Sequence, residues 1–439
     1  MRLPPAILAN AEEVLREIFR FAAPADTTLS RYFKDHPRLG GRERGAVAEC
    51  VYNVLRNKSF YTDFSEAGGG ATMRRLTLLG MADAVGVESL GGLTDDEVQW
   101  VERILQIDRK VMHKSSRSNM PKWLFDKLVA QMGEEETLLL ADGMNQPAPL
   151  DLRVNAIKAN RDDVIATLAE APIRATPTPF APLGLRVLQK PQLQNLPLFK
   201  DGHIEVQDEG SQILSAVVGA KRGEMVVDFC AGAGGKTLAL GATMRNTGRL
   251  YAFDVSEKRL AKLKPRLARS GLSNVHPVLI AHERDAKITR LAGKIDRVLV
   301  DAPCSGLGTL RRNPDVKWRQ QESAVAEMQV KQAAILDGAA RLLKGGGRLV
   351  YATCSFLDEE NDFIANQFLA AHPDFELVPM SKVLAEQKIE LEMGDYLKLL
   401  PHLHQTDGFF AAVFERKVMP KKVYADEKPA DEADADAAE

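Results

Sequence analysis

The stretch Met225-Val226-Val227-Asp228-Phe229-Cys230-Ala231-Gly232-Ala233-Gly234-Gly235-Lys236-Thr237 decides how this chain is read. Its first half is apolar and β-branched, which predicts a strand over Met225–Cys230. Its second half is rich in glycine, which lets a backbone turn tightly against a ligand and present amides at a helix start. A phosphate-binding loop ending in Gly235-Lys236-Thr237 would need a glycine where Cys230 stands, and a dinucleotide pattern starting at Gly232 would need one where Thr237 stands. Two readings remain: a short glycine loop of the type that holds S-adenosylmethionine, and a purely structural tight turn.

Working outward, strands and helices alternate. Further strands are expected at Arg249–Asp254, Val275–Ile280, Ile295–Asp301, Arg348–Thr353 and Phe409–Phe414, with helices such as Ser256–Ser270 and Glu322–Leu343 between them. Near-continuous apolar strands separated by helices predict an α/β fold, a doubly wound parallel sheet covered on both faces. Such sheets bind ligands beyond the carboxyl ends of their strands. Asp254 ends the second strand and is placed to accept the two hydroxyls of a ribose, unless it caps the next helix, a role open to Ser256. Asp285 follows the third strand, where an adenine amino group would sit.

The fourth strand runs into Asp301-Ala302-Pro303-Cys304-Ser305 and the fifth into Tyr351-Ala352-Thr353-Cys354-Ser355. A lone cysteine is usually a small buried hydrophobe. Two at the tips of neighbouring strands, facing one crevice, point to thiol chemistry. Carbon-5 of a pyrimidine is too weak a nucleophile to take a methyl group directly. A thiolate that first adds to carbon-6 makes carbon-5 enamine-like, and a base then removes the carbon-5 proton before the thiol leaves. Asp301 is suited to hydrogen-bond the N3 or amino edge of a cytosine during addition.

The rest of the chain bounds the partner. Its 439 residues suit two to four domains, and 45% hydrophobic with 27% charged residues is a globular composition. No apolar run is long enough for a membrane span. Four scattered cysteines suit neither a disulfide framework nor a zinc site, and no metal is expected. With no secretory segment at the start, a cytoplasmic chain with reduced thiols is expected. The formal charge of −2 hides an acidic tail: Ala425 to Glu439 carries seven acids against Lys428, which leaves +4 elsewhere. That excess permits a nucleic-acid partner.

Residues 1–143 read as all-helical. Ile7, Ala11, Val14, Leu15, Ile18, Phe19 and Ala22 share one helix face, and Val47, Cys50, Val51, Val54 and Leu55 another. A basic stretch between them holds Arg31, Lys34, Arg38, Arg42 and Arg44, either a solvated face or an RNA-backbone contact. Residues 144–205, rich in proline, read as a small α+β module, residues 206–416 as the catalytic domain, and 417–439 as a disordered tail.

At these residues the sequence resembles the RNA 5-methylcytosine methyltransferases, among them bacterial 16S rRNA enzymes. The likeness is carried by Val206–Gln212, Asp228–Thr237, Asp254, Asp285, Asp301–Gly308, Tyr351–Ser355 and Thr406–Phe410, and by Thr309–Asp315 with Trp318. It implies a Rossmann-like S-adenosylmethionine methyltransferase domain, with Cys354 as nucleophile and Cys304 assisting product release. Analogy with DNA cytosine-5 enzymes, whose nucleophile lies in a Pro-Cys pair, would choose Cys304 instead. The cofactor site would be Cys230, Ala231, Gly232, Ala233, Gly234, Gly235 and Lys236 with Asp254, Asp285 and Asp301. Asp301 would also face the cytosine and Lys236 the reaction centre. Ala233 stands where the family usually has proline, which frees one φ angle without removing a ligand group.

The resemblance makes residues 1–143 similar to the antitermination factor NusB and residues 144–205 similar to an RNA-recognition module. It implies an RNA partner, ribosomal before transfer RNA, no membrane partner and a monomer. Arg311, Arg312, Lys317 and Arg319 are expected to grip phosphate or the target loop. The rivals are a non-catalytic ribosome-assembly factor and the same chemistry on DNA.

Overall fold

The computed structural model describes residues 2–418 apart from 67 and 190, so the predicted acidic tail lies, from residue 419 on, outside the described residues. The dominant element is an eight-stranded sheet of β5 (Met225–Asp228), β6 (Arg249–Asp254), β7 (Val275–Leu279), β8 (Ile295–Asp301), β9 (Leu343–Thr353), β10 (Phe375–Leu377), β11 (Leu397–Leu399) and β12 (Phe409–Arg416). Its order is β10-β12-β9-β8-β5-β6-β7, with β11 on β12; β5 to β9 run parallel, and β10 to β12 join antiparallel. The strand order reverses at β5, so the crevice opens beyond the carboxyl ends of β5 and β8.

Alternate residues of each strand feed two cores. Val226, Leu299 and Val350 pack under the helices Glu209–Val217, Gly235–Thr243 and Glu257–Ser270, while Val227, Val298 and Tyr351 pack under Glu322–Ala340 and Asp362–Ala371. Burial on both faces is what made the strands read as continuous apolar runs. The short strands β10 and β11 gave no such signal. Strand β9 starts at Leu343, where a helix was expected to continue. Leu343 pairs with Ile295 there, and a register irregularity follows before Arg348 pairs with Arg297.

The α+β module is a four-stranded antiparallel sheet, in the order β2-β3-β1-β4, of β1 (Leu150–Val154), β2 (Ala175–Pro177), β3 (Gly184–Val187) and β4 (Ile204–Val206), with the Arg161–Glu170 helix packed on it.

Six helices between Ala6 and Leu105 enclose their own core, in which Ala11, Val14, Leu15 and Ile18 are buried as their spacing predicted. Ala22 is exposed, because the first helix ends at Ile18 and Phe21 turns the chain at φ 52°. Helices Lys122–Met132 and Glu134–Met144 lie before the expected boundary at Gly143. Their apolar faces instead form a cluster with Leu307, Leu310 and Phe356 of the catalytic domain. Among the described residues, no helix is long and apolar enough to cross a membrane.

Candidate active site

The glycine loop follows β5 and leads into the Gly235–Thr243 helix. Gly232 and Gly234 have φ of +58° and +84°, and a Cβ on Gly234 would lie 2.1 Å from Leu263 Cδ1. Neighbouring segments hold the loop's backbone. Asp254 accepts from Gly232 N at 2.8 Å and from Ser256 N at 2.7 Å, while Ser256 caps the Glu257–Ser270 helix. The carbonyls of Gly235 and Ala233 each accept a guanidinium hydrogen at 2.8 Å, from Arg153 on β1 and from Arg266. Arg153 is buried, and desolvation lowers its affinity for its proton, to a pKa of about 10. Below the loop Asp228 accepts from Thr237 Oγ1 at 2.7 Å, and burial pushes its carboxyl up to about 7.

The loop forms one wall of a cavity of about 480 Å³ that opens beyond β5 and β8. Of the residues expected at a cofactor site, Cys230 to Ala233, Gly235, Lys236, Asp254 and Asp301 line it, as do Cys304 and Cys354. Gly234 does not line it; its place is in the turn. Asp285 is also outside. Its carboxylate is taken by the backbone N–H groups of Lys287 and Ala281, at 2.9 and 2.8 Å, which hold it below the usual carboxylate range. It caps the Ala286–Thr289 helix, and His282 and Glu283 provide the wall there instead.

Lys236 Nζ and Asp301 Oδ2, both lining the cavity, form a 2.8 Å ion pair, with Nζ 5.7 Å from the Phe409 ring centroid. Burial works against the Lys236 charge, but Asp301 outweighs it and holds the proton more tightly than usual; Cys354 is a further electrostatic partner. Cys304 Sγ and Cys354 Sγ are 3.3 Å apart, although 50 residues separate them in sequence. The contact with Cys354, followed by burial, pushes the Cys304 thiol well above its ordinary value. The site therefore offers two sulfurs in contact and a lysine–carboxylate pair lining the same cavity.

The basic residues after Cys304 do a different job from the one expected. Arg312 binds Asp208 and Asp407 at 2.8 and 2.6 Å, and Arg311 donates to the carbonyls of Thr406 and Pro147. Lys317 is fully buried, donating to Arg56 O and Asn145 Oδ1, and desolvation drops its pKa to about 7. Trp318 Nε1 donates to Leu55 O, and Arg319 pairs with Asp315. This segment joins the helical domain, the small module and the catalytic sheet, so Arg311, Arg312 and Lys317 are held by partners within the chain. In the N-terminal basic stretch, Arg31 pairs with Glu17 and Arg44 donates to Leu39 O.

Sequence reading missed Arg153, Gln207 and Arg266 around the loop. Gln207 lies in the run Val206–Gln212, which carried a likeness but no chemistry, and Arg153 and Arg266 lie far from the loop in sequence. Replacing Arg153 by methionine is expected to weaken S-adenosylmethionine binding about tenfold, the scale of one charge-assisted hydrogen bond. Titration calorimetry measures it, and unchanged affinity in a folded variant would reject a role for Arg153 in holding the loop.

A Rossmann-like sheet with a glycine loop, a carboxylate at the end of its second strand and a cavity beyond the switch point defines a methyltransferase of the S-adenosylmethionine type. The comparisons agree. Residues 215–415 match the family described as 16S rRNA methyltransferase RsmB/F, and residues 120–194 match its ferredoxin-like domain. The probable ribosomal RNA small subunit methyltransferase B of Synechocystis sp. is 30% identical over 433 residues, covering 91% of this chain and 97% of that one. Its Bacillus subtilis counterpart is 32% identical over 312 residues, 71% of this chain and 69% of the other. Among solved structures, PH0851 covers 95% of this chain and all of its own at TM-score 0.75 and 26% identity. A methyltransferase homolog from Pyrococcus horikoshii covers 71% of this chain and all of its own at 0.60 and 30%. This chain belongs to the RsmB/F family of 16S rRNA methyltransferases.

Proposed function

We propose that this chain transfers a methyl group from S-adenosylmethionine to carbon-5 of a cytosine in RNA, small-subunit ribosomal RNA first. The observation that carries this reading is the pair of sulfurs 3.3 Å apart in the cavity that also holds the Lys236–Asp301 pair. The relatives' names supply the RNA class.

The residues fit the cofactor. A Cβ on Gly235 would meet only the cavity-lining side chains of Arg266 and Gln207, at 3.8 Å, so bare backbone faces the space. The Cys230–Lys236 loop and Asp254 would hold the nucleoside and Asp301 its sulfonium end, with His282 and Glu283 in place of Asp285. When bound, S-adenosylmethionine supplies the electrophilic methyl group that carbon-5 takes up.

The chain's own groups then act on the cytosine, which must leave any stack to reach them. Cys354, as a thiolate, adds its electron pair to carbon-6 and forms an S–C6 bond. Asp301 accepts from the amino edge and orients the ring. After carbon-5 is methylated, the S–C6 bond breaks as the C5–H electron pair forms the C5=C6 double bond, and the carbon-5 proton passes to Cys304 as that thiol gives up its own. Cys304, kept as a thiol and in contact with Cys354, gives its proton to the departing sulfur.

The test incubates the chain with radiolabelled S-adenosylmethionine and, separately, unmodified small-subunit rRNA, transfer RNA and DNA, and identifies the methylated nucleoside by mass spectrometry. The expected result is 5-methylcytidine from rRNA. A label on an exocyclic nitrogen or a ribose, or no label in any arm, would overturn the reading; 5-methylcytosine in tRNA or DNA alone would move the substrate class.

A further inference from the structure

Glu360 is fully buried in the catalytic domain, outside the cavity, and the reaction above does not use it. Its Oε1 accepts from Ser305 N at 2.8 Å and from Gln332 Nε2 at 3.1 Å, and its Oε2 accepts from Ser305 Oγ at 2.6 Å. All three donors are neutral. Burying a carboxylate against neutral donors is costly, and a glutamine would fill the space more cheaply. Its partners suggest what the charge does here. Ser305 follows Cys304, and Ser305 Oγ is 3.2 Å from the hydroxyl of Ser355, which follows Cys354. A hydroxyl has one proton. The carboxylate takes that of Ser305, so Ser355 donates to Ser305. Gln332 also donates to Pro303 O, at 3.0 Å, on the other side of Cys304. Tyr351 OH donates to Glu360 O at 2.6 Å, which fixes the carboxylate's own backbone. One carboxylate thus anchors both thiol-bearing loops.

We propose that Glu360 is a positioning residue that fixes the two sulfurs in register and keeps Cys304 a thiol until product release. The inference rests on the proton-donor role given to Cys304 above. The titratable groups around Cys304 are Tyr351 from β9 and Cys354 just after it, Glu360 from the segment before the Asp362–Ala371 helix, and the Lys236–Asp301 pair that lines the same cavity. Glu360 is one of the charges that raise the Cys304 thiol, behind Cys354 and burial. A negative charge so close disfavours a second one on sulfur.

The experiment uses the full chain and compares wild type with Glu360→Gln and Ser305→Ala. Iodoacetamide labelling of Cys304 is followed against pH by peptide mass spectrometry, with thermal melting as the folding control. In Glu360→Gln the labelling midpoint should fall by about one pH unit. With rRNA and S-adenosylmethionine, kcat should fall about tenfold or more in both variants while KM for RNA stays within twofold, and covalent protein–RNA adduct should outlive that of wild type. Ser305→Ala keeps the charge, so its Cys304 midpoint should move less than that of Glu360→Gln. If Glu360→Gln does not fold, Ser305→Ala alone tests the link between the loops through adduct lifetime. A folded Glu360→Gln with the wild-type labelling midpoint and adduct lifetime would overturn the proposal. Absence of methylation by wild type would overturn the functional reading instead, and the labelling profile would still decide whether Glu360 tunes Cys304.

Discussion

Cys354→Ala should lose methyl transfer by a factor on the order of 10³ or more, the scale of removing a covalent nucleophile, and should form no covalent RNA adduct. Cys304→Ala should behave differently. Its Cys354 keeps Lys236 nearby and still adds to carbon-6, but the departing sulfur has lost its proton donor, so protein-linked RNA should accumulate on denaturing gels. The two sulfurs sit only 3.3 Å apart, and a distance alone does not say which one attacks. The likeness to the RNA cytosine-5 enzymes gives the attack to Cys354, and contact with Cys354 together with burial pushes Cys304 towards the thiol. Adduct from Cys354→Ala and none from Cys304→Ala would reverse the roles towards the pattern of the DNA enzymes.

The second large effect is on stability. Arg312 neutralises Asp208 and Asp407, whose side chains are 6% and 3% exposed. Arg312→Ala leaves both carboxylates buried without that cation, which costs on the order of 3–5 kcal/mol. Burial and Asp208 already push the Asp407 carboxyl above the usual carboxylate range, against the pull of Arg312. Without Arg312 it rises further. A carboxyl raised in the folded state binds its proton more tightly there than in the unfolded chain. Stability therefore falls as pH rises from the unfolded value, near 4, through the folded one. The variant should melt lower than wild type at every pH, with a wider gap at pH 8 than at pH 5.5. Equal melting temperatures across that range would show that the buried cluster does not stabilise the fold.

Much of this site was readable because its parts are local in sequence. A glycine loop, an acid at a strand tip and a cysteine at a strand tip each lie within a few residues of an apolar run. That run places them at the carboxyl edge of a parallel sheet. Asp254 shows where the reading narrows: it lines the cavity, but its oxygens also hold Gly232 and Ser256, a backbone role that a list of acids does not reveal. Asp285 fails for a related reason. A short side chain just before a helix competes for the nearest N–H groups, and here two of them capture it.

The amino-acid sequence by itself determined the doubly wound sheet, the edge of it that carries the chemistry and the two thiols, because periodicity and strand-end residues are short-range properties. The tertiary structure decided which charges are spent on architecture. Arg311, Arg312 and Lys317 read as an RNA grip, yet they are consumed between three parts of the chain. Arg153 and Glu360 read as nothing, yet one holds the glycine loop and the other ties the thiol loops together. A buried charge must find partners wherever the fold brings them, 82 residues away for Arg153 and 55 for Glu360. Spacing along the chain does not encode that distance.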